Sequence, residues 1–274
     1  MRRAPPQGGA FLFRAKIPPV GHQTIARLGE IRDEELHRAG GTDGPTRKFL
    51  LYAALRREQR VAVVAETSAG TETVRILTLA QSAFRELEAL LAGRPTRLLD
   101  DIRDGEWTLR DLLRHAIATE LRYREQVRYS ATRADSETIA IPPERLPCDR
   151  LDPPDPTFAD SRRGDLARTL GLLARAREET DSALAGLDDA LLGRPSLWGE
   201  ARIDVRERLH QIAAHLVEVT LQAEKMIRAA GESDGEARQI ARRIWSWRGR
   251  HERLSRPELL ATLDEELAAI DPAR

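Results

Sequence analysis

The spacing of apolar side chains is helical nearly throughout the chain. Val74, Leu77, Phe84, Leu87 and Leu91 fall three, four or seven positions apart, which puts them on one helix face and predicts an element over residues 71–92, closed by Gly93 and Pro95. A second element opens at Thr108, where Asp111 completes a capping-box pattern, and carries Leu109, Leu112, Ala116, Tyr123 and Val127 on one side to about residue 130. A third covers residues 163–187, with Leu166, Leu170, Leu173, Thr180, Leu184 and Leu187 in register. The fourth starts after Asp204, a good N-cap, and runs through Leu209, Ile212, Leu216, Val219, Ala223 and Met226 to a stop at Gly231.

The connections constrain how these four stripes assemble. Residues 138–161 hold six prolines, too many for a helix, in a segment too long for a tight turn but long enough to run the length of a bundle. Helices two and three can therefore run parallel. The expected fold is all-α, an up-down-down-up four-helix bundle with a long proline-rich crossover and helical extensions at both ends. Residues 1–44 form the N-terminal extension, 45–231 the bundle and 232–274 the C-terminal extension. In front, residues 10–17 are an apolar, extended-looking run; helical patterns follow at 24–38 and 45–66, with Pro45 suited to a first turn. Behind, residues 236–250 read as helical, and the capping-box pattern of Ser255 to Glu258 opens a last helix to about residue 270.

Composition narrows the partners. Lys plus Arg equals Asp plus Glu, 44 against 44, so no global field draws the chain to nucleic acid or to an anionic membrane. The one basic and aromatic stretch is Arg242 to Arg253. It reads as a helix docked through Ile240, Ile244 and Trp247 with its arginines in water, not as a nucleobase-stacking surface. Cys148 is the only cysteine, and neither a signal-peptide pattern nor an apolar run of membrane-spanning length occurs, so the expectation is a soluble, cytoplasmic protein. A homodimer is left open. Glycine-rich phosphate loops, zinc ribbons and serine-nucleophile elbows are absent.

The candidate chemistry lies on helices two and four. His115 sits about 60° from Leu112 and His215 about 60° from Ile212 around their helices, so both occupy the margins of apolar stripes, where an inward cavity begins. Glu120 falls within the apolar face of helix two. A carboxylate there needs a metal, an arginine or a histidine as partner. Glu218 is one turn from His215 but points further toward solvent, and His210 lies on another face.

The stretch EWTLRDLLRHAIATE, the crossover, and LHQIAAHLVEVTLQAEKM together resemble the DinB-like four-helix bundles, over roughly residues 45–231. That superfamily includes thiol-dependent transferases and isomerases that use a divalent metal. In it a Trp-Ser/Thr pair opens helix two, followed by a histidine and, five residues later, a glutamate; Trp107, Thr108, His115 and Glu120 match. Helix four carries His-x-x-x-His-x-x-Gln, against which this chain sets His215, Val219 and Gln222. The resemblance implies one divalent ion, Zn, Ni, Fe or Mn, held by His115 and His215, with Gln222 or Glu120 orienting ligands or water. Valine at the third ligand position tilts the expectation toward a bundle that binds a small molecule or a partner protein without metal. The alternative is a divalent-metal-dependent transferase or hydrolase acting on a small substrate, thiol-bearing if the resemblance extends that far. Whether the chain is an enzyme stays open.

Overall fold

The structure is a computed structural model that describes residues 20–39, 44–101, 107–146 and 162–271. The apolar run at 10–17, Cys148 and most of the proline-rich crossover lie outside these residues. The described chain forms nine α-helices and one short hairpin: α1 Val20–Gly29, α2 Asp33–Leu36, α3 Arg47–Thr67, α4 Glu72–Leu91, α5 Leu109–Thr132, α6 Leu166–Leu184, β1 Pro195–Trp198, β2 Ala201–Asp204, α7 Val205–Ala229, α8 Glu236–His251 and α9 Pro257–Ala268. None of the described helices is long and apolar enough to cross a membrane.

Helix starts follow local chemistry. Thr108 accepts from the Asp111 amide at 3.1 Å while Asp111 accepts from the Thr108 amide at 3.2 Å, the reciprocal cap expected for α5. Asp204 caps α7 through the Glu207 amide at 2.8 Å. Thr71 caps α4 through Val74, but the two preceding amides are taken by a distant residue: Asp189 accepts from Glu72 at 2.7 Å and Thr73 at 3.0 Å. Ser255 does not cap α9 as its sequence pattern suggests. Its hydroxyl stands 3.0 Å from His251 Nδ1, and Arg256 holds the cap position without a side-chain bond. Likewise Pro45 precedes the α3 cap, Thr46, instead of entering the first turn, and the pattern at 24–38 breaks into two helices after Gly29.

α4, α5, α6 and α7 form the bundle, α4 packing on α7 and α6, and α5 on α6 and α7. Phe84, Leu87, Leu113, Leu173, Leu209 and Leu216 are among its buried residues, each such side chain contributing roughly 1.5–3 kcal/mol relative to exposure. A second layer, α1, α3, α8 and α9, covers the other side of α4 through Ile25, Leu51, Ile244, Trp245 and Leu267. α4 is thus enclosed from two directions. Fourteen of its twenty residues are buried, which is why its apolar stripe is broad.

Two further features depart from the sequence reading. Residues 195–204 form an antiparallel hairpin, paired from Pro195 with Asp204 to Trp198 with Ala201, around the turn Gly199–Glu200. Gly199 has φ +57°, a conformation open to glycine at the first position of a two-residue turn. In addition, Arg242 and Arg248 of α8 are not in water, although Arg243 is. Arg248 pairs with Glu58 and Asp264, Arg242 with Glu224 and Asp234, and both guanidiniums are nearly buried; Trp245, not Trp247, is the anchoring aromatic.

α8 approaches α4 closely at Gly249, where a β-carbon would stand 2.6 Å from the Gln81 carbonyl oxygen and 2.7 Å from Ser82 Cα. Backbone cannot yield as a flexible side chain does. Gly249→Ala should therefore destabilise the fold by about 1–3 kcal/mol in denaturant unfolding. A variant as stable as the parent would mean that the two helices are not in backbone contact.

Candidate functional site

α5 and α7 meet along a polar seam. His115 on α5 and His215 on α7 face each other with their Nε2 atoms 3.1 Å apart, and their rings meet edge to face with centroids 5.0 Å apart. One Nε2 must then be the protonated donor and the other a lone-pair acceptor. Trp107 packs edge-on against His115 at 5.0 Å, Tyr123 approaches the His215 ring at 6.0 Å, and Thr119 Oγ1 is 3.5 Å from His115 Nε2. Outside the pair opens a cavity of about 500 Å³, whose walls include Trp107, Glu218, Val219, Gln222 and Met226. A larger groove of about 690 Å³ between α3, α4, α7 and α8 brings none of the candidate residues together.

The candidate residues divide between two places. His115, His215 and Gln222 share the cavity, and the Gln222 amide nitrogen donates to Glu218 at 3.4 Å. Glu218 is exposed, as its helical position requires, yet it reaches the cavity rim. Glu120 is elsewhere. Its carboxylate is buried against the Arg177 guanidinium of α6, and Arg177 also donates to Asp181 at 2.6 Å. Burial pushes the Glu120 carboxyl up against the pull of Arg177. Of the three partners open to Glu120 on sequence grounds, the structure supplies the arginine.

These residues do not fit a tightly held resident ion. Two imidazole nitrogens on one zinc ion stand roughly 3.3 Å apart, so the histidine pair has a chelating separation. The next helical turn, however, presents Val219, a buried apolar side chain, where a third donor would project. Among the described residues no group of three His, Cys, Asp or Glu side chains could hold a metal ion. What the pair can do unaided is accept or relay a proton across Nε2 and hydrogen-bond a ligand in the cavity.

Tyr123 and Arg208 escape a motif-based reading. Both carry a helical signal nonetheless, since Tyr123 lies eight positions after His115 and Arg208 seven before His215, each on its partner's side of the helix. The Arg208 guanidinium stacks over the Tyr123 ring at 5.3 Å.

Burial, reinforced by the neighbouring His115, lowers the His215 pKa to about 4; burial also lowers that of His115, with Glu218 opposing and Arg122 assisting. The folded protein thus keeps His215 neutral where the unfolded chain takes up a proton, below about pH 6.5. Its contribution to stability is complete above that pH and is lost as pH falls toward 4. Thermal melts from pH 7 to pH 4 should show the parent losing stability more steeply than a His215→Gln variant. Parallel pH profiles would show that His215 is not held neutral.

None of the curated proteins or solved structures compared with the chain matches it. A family model, that of the DinB superfamily, matches residues 79–223. This span runs from α4 to α7, includes the histidine pair, Glu120 and Gln222, and covers just over half of the chain. The four packed helices, with Trp107, Thr108 and His115 on one side of the seam and His215 and Gln222 on the other, are where that match falls, and the chain belongs to the DinB superfamily.

Proposed function

We propose that the chain binds a small molecule in the cavity outside His115 and His215, without a resident metal ion. The observation that carries this reading is Val219. It fills the position from which a third ligand would project, and the two imidazoles satisfy each other. A ligand with a donor and an acceptor can replace that mutual bond, while Trp107 and Met226 supply apolar contact in the cavity. Binding of a partner protein in place of a small molecule is the less favoured form of this reading, since the polar groups converge in a concavity.

The second reading is a divalent-metal-dependent transferase or hydrolase on a small, thiol-bearing substrate. It is supported by the 3.1 Å separation of the Nε2 atoms and by Glu218 and Gln222 beside them. In that case the ion would supply a lowered pKa for bound water or thiol, and His115 and His215 would hold it.

We further infer that α4, α5, α6 and α7 run up-down-down-up, so that of residues 45–231 the bundle proper takes 72–229 and α3 belongs to the second layer. Glu72 pairs with Arg206, the first turns of α4 and α7 together; Arg124 pairs with Glu179 while Glu120 pairs with Arg177, supporting parallel α5 and α6. Tyr123 with Arg208, and His115 with His215, support antiparallel α5 and α7. The single cysteine fits a cytoplasmic location.

Val219→His tests the metal question. It would set a third imidazole one turn from His215 and tighten zinc binding by tenfold or more over the parent, equivalent to about 1.4 kcal/mol. Without metal the variant should be destabilised by about 1–3 kcal/mol, because a polar ring replaces a buried apolar side chain; zinc should restore stability. Titration calorimetry and melts with and without zinc measure both effects. Should the parent itself hold one zinc ion tightly and lose it on His115→Ala or His215→Ala substitution, the metal-free reading is wrong.

A further inference from the structure

Most buried arginines of this protein face carboxylates, but Arg208 does not. Its residue is 1% exposed, and among the described residues it makes no ion pair. Its guanidinium donates to the Gln211 amide oxygen at 2.7 Å and lies over the Tyr123 ring, while its Nε is buried without a hydrogen-bond partner. Arg122, half-buried on α5 beside Tyr123, forms no ion pair with the described residues either, and its Nε is similarly unsatisfied. Among the described residues, Tyr123 and Arg122 are the charged or titratable groups that bear on Arg208. Glu218, the acidic group that bears on His115 and Tyr123, forms no ion pair with either arginine.

An isolated buried guanidinium is costly, and a second one nearby adds repulsion. Folded proteins retain such groups where a ligand completes them, because a charge-assisted bond to an oxyanion recovers what desolvation removes. Resting on the small-molecule reading of the histidine cavity, we infer that the Tyr123–Arg208 layer, which does not line the cavity but meets the histidine pair through the Tyr123–His215 ring contact, extends it into one anion-binding site. The ligand carries a carboxylate or phosphate group, which Arg208 and Arg122 bind, while the neutral His115–His215 pair hydrogen-bonds its remaining polar end. Planar guanidinium donors suit either oxyanion.

The probes are inorganic phosphate and succinate, titrated by calorimetry into the full chain in EDTA. At least one should bind saturably with one site per chain. Arg208→Met should weaken that binding at least tenfold and raise the melting temperature in anion-free buffer, because an uncompensated buried charge is replaced by an apolar side chain of similar length. Arg122→Gln, which removes the neighbouring charge, should weaken binding without lowering the melting temperature. Phosphate binding alone assigns a phosphoryl ligand, and succinate binding alone assigns a carboxylate. The inference is overturned if neither anion binds the parent with or without zinc, or if both variants bind as the parent does. Arginine-dependent binding that appears only with zinc would support the anion site and reject the metal-free reading. Arginine-independent binding in EDTA would do the reverse.

Discussion

The packing of the whole molecule depends on Arg177, a guanidinium with no access to solvent at the centre of the bundle. Removing such an ion from water costs several kcal/mol unless carboxylates meet it. Glu120 from α5 and Asp181 from α6 do so, and the chain of charge continues outward. Asp181 also pairs with Arg253 beyond α8 at 2.6 Å, Arg253 donates to Gln81 on α4 at 3.0 Å, and Gln81 donates to Glu252. Glu252 holds Arg85, which pairs with Glu88, and Glu88 accepts from the Trp245 indole at 2.7 Å. One connected network thus joins both layers. Apolar surfaces can slide over one another, whereas charges in low dielectric tolerate no shift that parts them, so this network fixes the register between the bundle and its C-terminal cover.

The same principle distinguishes structure from site. Arg177, Arg85 and Arg248 have their counter-charges within the protein, although the Nε of Arg177 is itself buried without a hydrogen-bond partner among the described residues. Along the α5 and α7 seam, polar atoms are left unfinished: among the described residues, Nε of Arg122, Nε of Arg208 and Oε1 of Gln126 are buried without partners. Unsatisfied groups also occur elsewhere in the chain, Arg57 and Arg242 among them, so no single one identifies a site. What sets the seam apart is that three of them fall on the two helices that carry the histidine pair.

Much of the fold was legible because its signals are local. A threonine three residues before an aspartate, or an aspartate before an apolar stripe, carries its structural meaning within one turn, and the starts of α4, α5 and α7 fall where the sequence puts them. The pairing of His115 with His215 followed from two stripe margins and a family resemblance. Partners distant in sequence were not legible. Helical phase placed Glu120 inside, but nothing near it points to Arg177, 57 residues away. The α8 arginines look like a solvated face until Glu58, Glu224 and Asp234 are folded against them. The hairpin was hidden because its strands are four residues each, too short for alternation to stand out from a loop.

Asp189 has a consequence for the order of events during folding. The first two amides of α4 gain their acceptor from a residue 117 positions later, and Arg206 braces the same end through Glu72. Local propensity and the Thr71 hydroxyl can start the helix, but its opening turn is completed only after a long loop has closed. On a ribosome α4 emerges well before Asp189 has been synthesised. The helix shared by both layers is therefore made long before the residue that completes its opening turn.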